Sequence, residues 1–218
     1  MDFDEVATTT RAVRKRLDLH RAVEPAVLHE CLQIALQAPT GTNIQLWRFI
    51  VVNDPEKRRE IAKYYREGWR SEYESIDSFV DGLPTERQDQ QRRVYSSADY
   101  LADHLAEVPV LVIACLKGRL QPGAPISQWS GYLGSVIPAI WSLQLALRSR
   151  GLGSVFTTVH LKYENEVAAL LDIPDNVAQV ALLPVAYTKG TFARAKNRSP
   201  KKVTSWNSWG NQPPSDFS

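Results

Sequence analysis

A chain of 218 residues is long enough to bury one substantial core and lies within the range of a single large domain. With 44% hydrophobic and 23% charged residues, wholesale disorder is excluded. A formal charge of +2 is too small to argue for nucleic acid or an anionic membrane. Cys31 and Cys115 lie in apolar contexts and match no metal-ligand spacing, so they read as small hydrophobes in a reducing compartment. The start, "MDFDEVATTT", is acidic and lacks the apolar run of a signal peptide, which points to a cytoplasmic protein.

In chain order, residues 4–10 suggest a short helix followed by the basic cluster "RAVRKR". From Pro25, Val27, Leu28, Cys31, Leu32, Ala35 and Leu36 recur at helical spacing, and Pro25 suits a first turn. That helix is expected to stop before Pro39, because the residue preceding a proline disfavours helical dihedrals. "WRFIVVN" predicts a strand, and the Asp-Pro of "DPEKRREIAKYYREGW" opens a charged amphipathic helix. Residues 70–107 are polar and aromatic, helical in parts, and interrupted at Gly82 and Pro84. "VPVLVIACL" is an unbroken apolar strand of the kind buried on both faces. "GYLGSVIPAIWSLQLAL" is apolar almost all round; it falls short of the roughly 20 residues a bilayer requires and reads as a central helix packed on every side. "GLGSVFTTV" predicts a turn and third strand, "YENEVAALLDI" a short helix, and "NVAQVALLPVAY" a fourth strand. The expectation is one α+β domain over 1–218, with 189–218 an extended tail.

Few groups carry chemistry. Arg11, Arg14, Lys15 and Arg16 form one basic cluster; Lys189, Arg194, Lys196, Arg198, Lys201 and Lys202 form another with no acidic residue between them. Each reads alone as a solvated charged face, yet two clusters from opposite ends could converge on a phosphate through the Arg forks. "PTGTNIQLW" is either a helix-to-strand connection or a loop presenting donors to a polar, planar ligand. "GLGS" lacks the third glycine and the strand-to-helix context of a dinucleotide fingerprint; its glycines read as a helix cap. His20, His29, His104 and His160 share no metal-binding spacing, and no hydrolase signature occurs. If the chain is an enzyme, a cofactor does the chemistry.

Taken together, "TRAVRKRLD", "APTGTNIQLWRFIVV", "GLGSVFTT" and "AKNRSPKKVTSW" resemble, in order, four motifs of the nitroreductase family of FMN-dependent oxidoreductases. The resemblance implies a three-layer α+β fold with a mostly antiparallel sheet flanked by helices, assembled as an intertwined homodimer with FMN at the interface. Arg11, Ala12, Val13, Arg14, Lys196 and Arg198 match its phosphate and ribityl contacts. Thr40, Thr42, Asn43 and Gln45 fall in the loop lining the flavin, and the backbone of Thr157, Thr158 and Val159 would run beside the ring. No catalytic side chain and no metal are implied, because flavin N5 carries the chemistry. NADPH or NADH would reduce the flavin, and a quinone, nitroaromatic or similar acceptor would reoxidise it by ping-pong exchange. Relatives that store flavin, dehalogenate reductively or fragment flavin share the scaffold. Ala12 stands where serine is common, Thr158 where some members carry glutamate, and Leu46 replaces a frequent proline.

Overall fold

The computed structural model describes residues 1–72, 76–194 and 199–217. Helix α1 (Phe3–Thr9) is capped by Asp2, whose carboxylate accepts from the Glu5 N–H at 2.8 Å. Helix α2 (Pro25–Ala35) ends ahead of Pro39, and strand β1 (Trp47–Val52) follows. Asp54 caps helix α3 (Pro55–Glu72) through the Lys57 N–H at 2.9 Å. Helices α4 (Ile76–Asp81) and α5 (Thr85–His104) separate at Gly82 and Pro84, so the polar region is helical on both sides of its breakers. Strand β2 (Val110–Lys117), helices α6 (Ile126–Gly134) and α7 (Ile137–Ser149), strand β3 (Leu152–Ser154), helix α8 (Glu164–Leu170) and strand β4 (Val177–Tyr187) complete the order.

The sheet runs β1-β2-β4-β3, and every pair is antiparallel. Alternation along β2 serves two cores. Leu111, Ile113 and Cys115 pack with Ile61, Tyr65, Leu101 and Leu105, contributed by α3, α5 and the turn after α5. Val110, Val112, Ala114 and Leu116 pack with Cys31 and Ala35 of α2 and Ile140, Leu143 and Leu147 of α7. Burial on both faces explains the unbroken apolar run in an antiparallel strand. Each buried Val, Leu or Ile among them contributes about 1.5–3 kcal/mol. Among the described residues, no helix is long and apolar enough to cross a membrane.

The central helix departs from expectation. It is two helices, α6 and α7, separated at Ser135 and Val136. Pro138 stands in the first turn of α7 and has no N–H to continue the ladder, while the Ser135 hydroxyl bonds back to the Gly131 carbonyl at 2.8 Å. Nor is α7 packed on every side: Ile137 and Trp141 are 43% and 44% exposed.

The third strand is also shorter than "GLGSVFTTV". Ladder pairing stops at Ser154↔Val185 and returns as an isolated bridge at Thr157↔Leu182, in unchanged register. Leu182 directs its N–H at the Thr157 carbonyl, so position 184, two residues on, would direct its own at the same strand. Position 184 is proline, and the donor is missing there.

Beyond β3 the N-terminal segment extends the sheet. Ala12 bridges Ser154 in parallel, with the Val13 N–H donating to the Ser154 carbonyl at 2.9 Å. Leu17 bridges Thr188, and the Asp18 N–H reaches the Tyr187 carbonyl at 2.8 Å. Of the two glycines expected to cap the preceding helix, Gly151 does so at φ 77°, whereas Gly153 lies within β3. A Cβ on Gly153 would stand 2.6 Å from Thr188 Cγ2 and 2.9 Å from Val13 Cβ. Gly153→Ala is therefore expected to cost about 1–3 kcal/mol in denaturant unfolding and to speed amide exchange at Val13; unchanged stability and exchange would show that the segment does not need this approach.

Candidate functional site

The docked N-terminal segment forms one wall of a cleft of about 710 Å³, lined by residues 11–16, Arg93 and Ser97 of α5, and Thr191 to Ala193 of the tail. Among the described residues its lining contains no carboxylate. Arg14 donates to Ser97 Oγ at 3.2 Å and Lys15 to Ser96 Oγ at 2.8 Å. Arg16 donates to the Thr191 carbonyl at 2.5 Å, and Arg11 donates to the Ala193 carbonyl. Arg11 Nε is buried and has no hydrogen-bond partner among the described residues. Cations held by neutral acceptors, with a guanidinium donor left over, suit an anion such as a phosphate.

Thr157, Thr158 and Val159 lie on the same sheet edge, three to five residues beyond Ser154. The Thr157 N–H is engaged with the Leu182 carbonyl at 3.1 Å, and its hydroxyl lies 3.0 Å from the Tyr65 hydroxyl. The structure thus places Arg11, Ala12, Val13 and Arg14 on the same sheet edge as Thr157, but the basic cleft is not lined by Thr157 to Val159, and Thr158 lines a separate cavity. Lys196 and Arg198 lie outside the described residues. Of the second cluster, Lys189 pairs with Asp18 at 3.8 Å rather than facing the cleft.

The polar loop is elsewhere. Thr40 to Gln45 leads into β1 at the opposite sheet edge, and the Gly41 N–H donates to Ser135 Oγ at 3.4 Å. Four strand spacings across the sheet and seven residues along it place the loop roughly 30 Å from Ala12 of the same chain. Thr42, Asn43 and Gln45 have φ of 51°, 55° and 51°. A left-handed β-branched threonine is a true outlier, and such residues cost on the order of 1–3 kcal/mol each. Gln45 Nε2 donates to Asn43 Oδ1 at 2.7 Å, and its backbone N–H to Thr40 Oγ1 at 3.3 Å. These contacts hold an exposed, strained set of donors in one shape.

A second cavity, about 440 Å³, adjoins Thr158 and is walled by Phe156, Trp129, Tyr132, Leu133 and Ile137. At its polar end Arg119 forks onto Glu164 at 2.8 and 3.1 Å, and the Gln179 N–H donates to Glu164 at 3.0 Å. Burial pushes the Glu164 carboxyl up, but the Arg119 and Gln179 hydrogen bonds outweigh it and hold the group below its ordinary range. Nearby His160 is fully buried, and among the described residues neither ring nitrogen has a hydrogen-bond partner. Burial pushes its pKa down to about 4, against the opposing charge of Glu164. Cys31 and Cys115 are pushed up by burial to about 11 and about 12, in different cores, and remain thiols. Among the described residues no cluster of His, Cys, Asp or Glu could hold a metal.

Sequence reasoning missed Arg93, Ser96, Ser97, Thr191 and Phe192 at the cleft, and Arg148 beside it. The serines and Arg93 sit in an unremarkable polar helix, and Phe192 is an isolated aromatic in a tail without periodicity. No local signal marks them.

The model of the nitroreductase family matches residues 7–187. An iodotyrosine deiodinase of Thermotoga neapolitana is 31% identical over 72% of this chain and 73% of its own. A 4-nitrobenzoate reductase of Nocardioides is 24% identical over 92% of this chain and 86% of its own. In fold, an iodotyrosine deiodinase bound to FMN and 3-iodo-L-tyrosine superposes with a TM-score of 0.68 at 23% identity, over 94% of this chain and 99% of that one.

Because His160 is held neutral in the folded state, the unfolded chain binds one more proton between about pH 6.5 and 4. Its contribution to stability is complete above pH 6.5 and is lost as pH falls, with a slope of up to about 1.4 kcal/mol per pH unit. His160→Leu is expected to flatten the acid limb of a stability-versus-pH curve measured by urea unfolding; an unchanged limb would assign the loss to the carboxylates alone.

Proposed function

The chain belongs to the nitroreductase family, and from that premise we propose that it is an FMN-dependent oxidoreductase using NADPH or NADH to reduce nitroaromatic, quinone or similar electron-poor acceptors. The observation that carries this reading is the basic cleft, whose lining among the described residues has no carboxylate and leaves Arg11 Nε without a hydrogen-bond partner, on the same sheet edge as Thr157. That donor set fits a flavin phosphate. Arg11 and Arg14 would hold it from the N-terminal segment, and the family resemblance would add Lys196 and Arg198, which lie outside the described residues. When bound, FMN supplies the hydride and electron transfer.

The remaining work falls to the chain. Positive charge beside the site would stabilise anionic character without a change of protonation, and the backbone of Thr158 and Val159 would run beside the ring. Phe156, Trp129 and Tyr132 give the adjoining cavity aromatic walls suited to a flat acceptor. No side chain in this account acts as a general acid.

The loop at the far sheet edge acts in trans. A strained, exposed donor set roughly 30 Å from the basic cleft of its own chain cannot line that cleft, but a second copy can offer it. The exposed Ile34, Trp129, Ile137 and Trp141 supply an apolar helical surface for such a homodimer. We place the protein in the cytoplasm as a single flavin-binding domain over 1–218. A second reading, reductive dehalogenation, is supported by the 31% identity to a deiodinase; an iodinated phenol beside a nitroaromatic and a quinone in one turnover panel separates the two.

The full-length protein is expected to be yellow, dimeric by light scattering, and bleached by NADPH or NADH without oxygen; a folded preparation that stays colourless with added FMN overturns the proposal. Asn43→Ala should keep the fold and the dimer but weaken FMN binding or turnover by roughly tenfold, the scale of one lost hydrogen bond. Wild-type affinity and rates in that variant would reduce the loop to a connection.

A further inference from the structure

Phe192 gathers an unusual set of charges. Arg11, Arg16 and Arg148 stand over its ring at 5.5, 5.1 and 5.0 Å from the centroid. The three come from two separate stretches, the N-terminal segment and α7, and meet on a residue of the tail. Among the described residues none of them pairs with a carboxylate. Like charges held this close repel and would splay into solvent unless something opposes them. The π-face of Phe192 offers negative potential to each guanidinium. Its neighbours add to this: the Thr191 carbonyl accepts from Arg16 at 2.5 Å and the Ala193 carbonyl accepts from Arg11. Arg148 is tethered from behind, donating to Thr9 Oγ1 at 3.2 Å. The ring itself is half-buried against the core that holds Val13 and Leu17, so it is a fixed platform.

We propose that Phe192 is a positioning residue for anion recognition: it holds Arg11 and its neighbours in one orientation before the ligand arrives, and so sets the preference for a phosphorylated flavin over riboflavin. This rests on the flavin reading above. The consequence is specific to the phosphate. Without the ring, the guanidiniums must be collected at the moment of binding, against their mutual repulsion, and only a ligand carrying the phosphate bears that cost.

The test is titration of the deflavinated full-length chain with FMN and with riboflavin, followed by flavin fluorescence at low salt. Phe192→Leu, which keeps apolar volume in the core contact, is expected to weaken FMN on the order of tenfold, the sum of modest cation–π contributions, and to leave riboflavin unchanged. Phe192→Tyr, which keeps the π-face, should restore FMN binding to within about twofold. Equal loss for both flavins makes Phe192 a packing residue and overturns the inference, as does an undiminished FMN affinity or a tyrosine variant as weak as leucine. A wild-type chain that does not prefer FMN to riboflavin overturns the placement of the phosphate as well, and that result is visible before any variant is made.

Discussion

The hydrogen bond from the Val13 N–H to the Ser154 carbonyl, 2.9 Å long, decides where this molecule keeps its positive charge. It adds residues 11–17 to the free edge of a four-stranded sheet that would otherwise end at a three-residue strand. The docking depends on Gly153, whose missing Cβ lets Val13 and Thr188 close over the strand. It depends also on Gln144, buried in α7, whose amide donates to Ser154 Oγ at 3.1 Å. A buried polar group in an apolar helix is satisfied by the residue that anchors the basic segment. Once attached, Arg11, Arg14 and Arg16 face the tail and α5, and the cleft between them is a consequence.

The same attachment separates the two polar features of the chain. The sheet order puts β1 and its preceding loop at one edge and the basic segment at the other. Neither half resembles a finished site. The loop exposes three left-handed non-glycine residues, and among the described residues the lining of the cleft contains no carboxylate. Strain in the first and concentrated positive charge in the second are costs in an isolated copy. In the proposed two-copy assembly both would become complementary walls of one pocket, with the exposed apolar faces of α2 and α7 as the surface on which it forms. On that proposal, association and cofactor binding would be one coupled process rather than two.

Much of the fold was legible from the chain. The helical spacing from Pro25, the strand "WRFIVV" and the apolar run "VPVLVIACL" lie where the pattern puts them, because burial of alternating or periodic side chains is a local property of sequence. The failures are also physical. Apolarity over Gly131 to Leu147 implied one buried helix, but Pro138 and the Ser135 hydroxyl divide it, and the exposed Trp141 serves a surface instead of a core. The expected third strand ends where Pro184, itself in another strand, withholds an N–H. That break cannot be read from "GLGSVFTTV", since its cause lies about thirty residues away.

By itself the sequence determined most of the secondary elements, the absence of a nucleophile or metal signature, and the four motifs whose order resembles one flavoprotein family. Those follow from side-chain periodicity and from short-range chemistry. Tertiary structure alone decided which charges meet. Arg93, Ser97, Arg148 and Phe192 join Arg11 and Arg14 only after strands and helices pack, because a cleft is a statement about distance in space and carries no period along the chain. It also decided that the polar loop and the basic cluster stand apart, since strand order depends on pairings made across the whole sheet, which no single segment encodes.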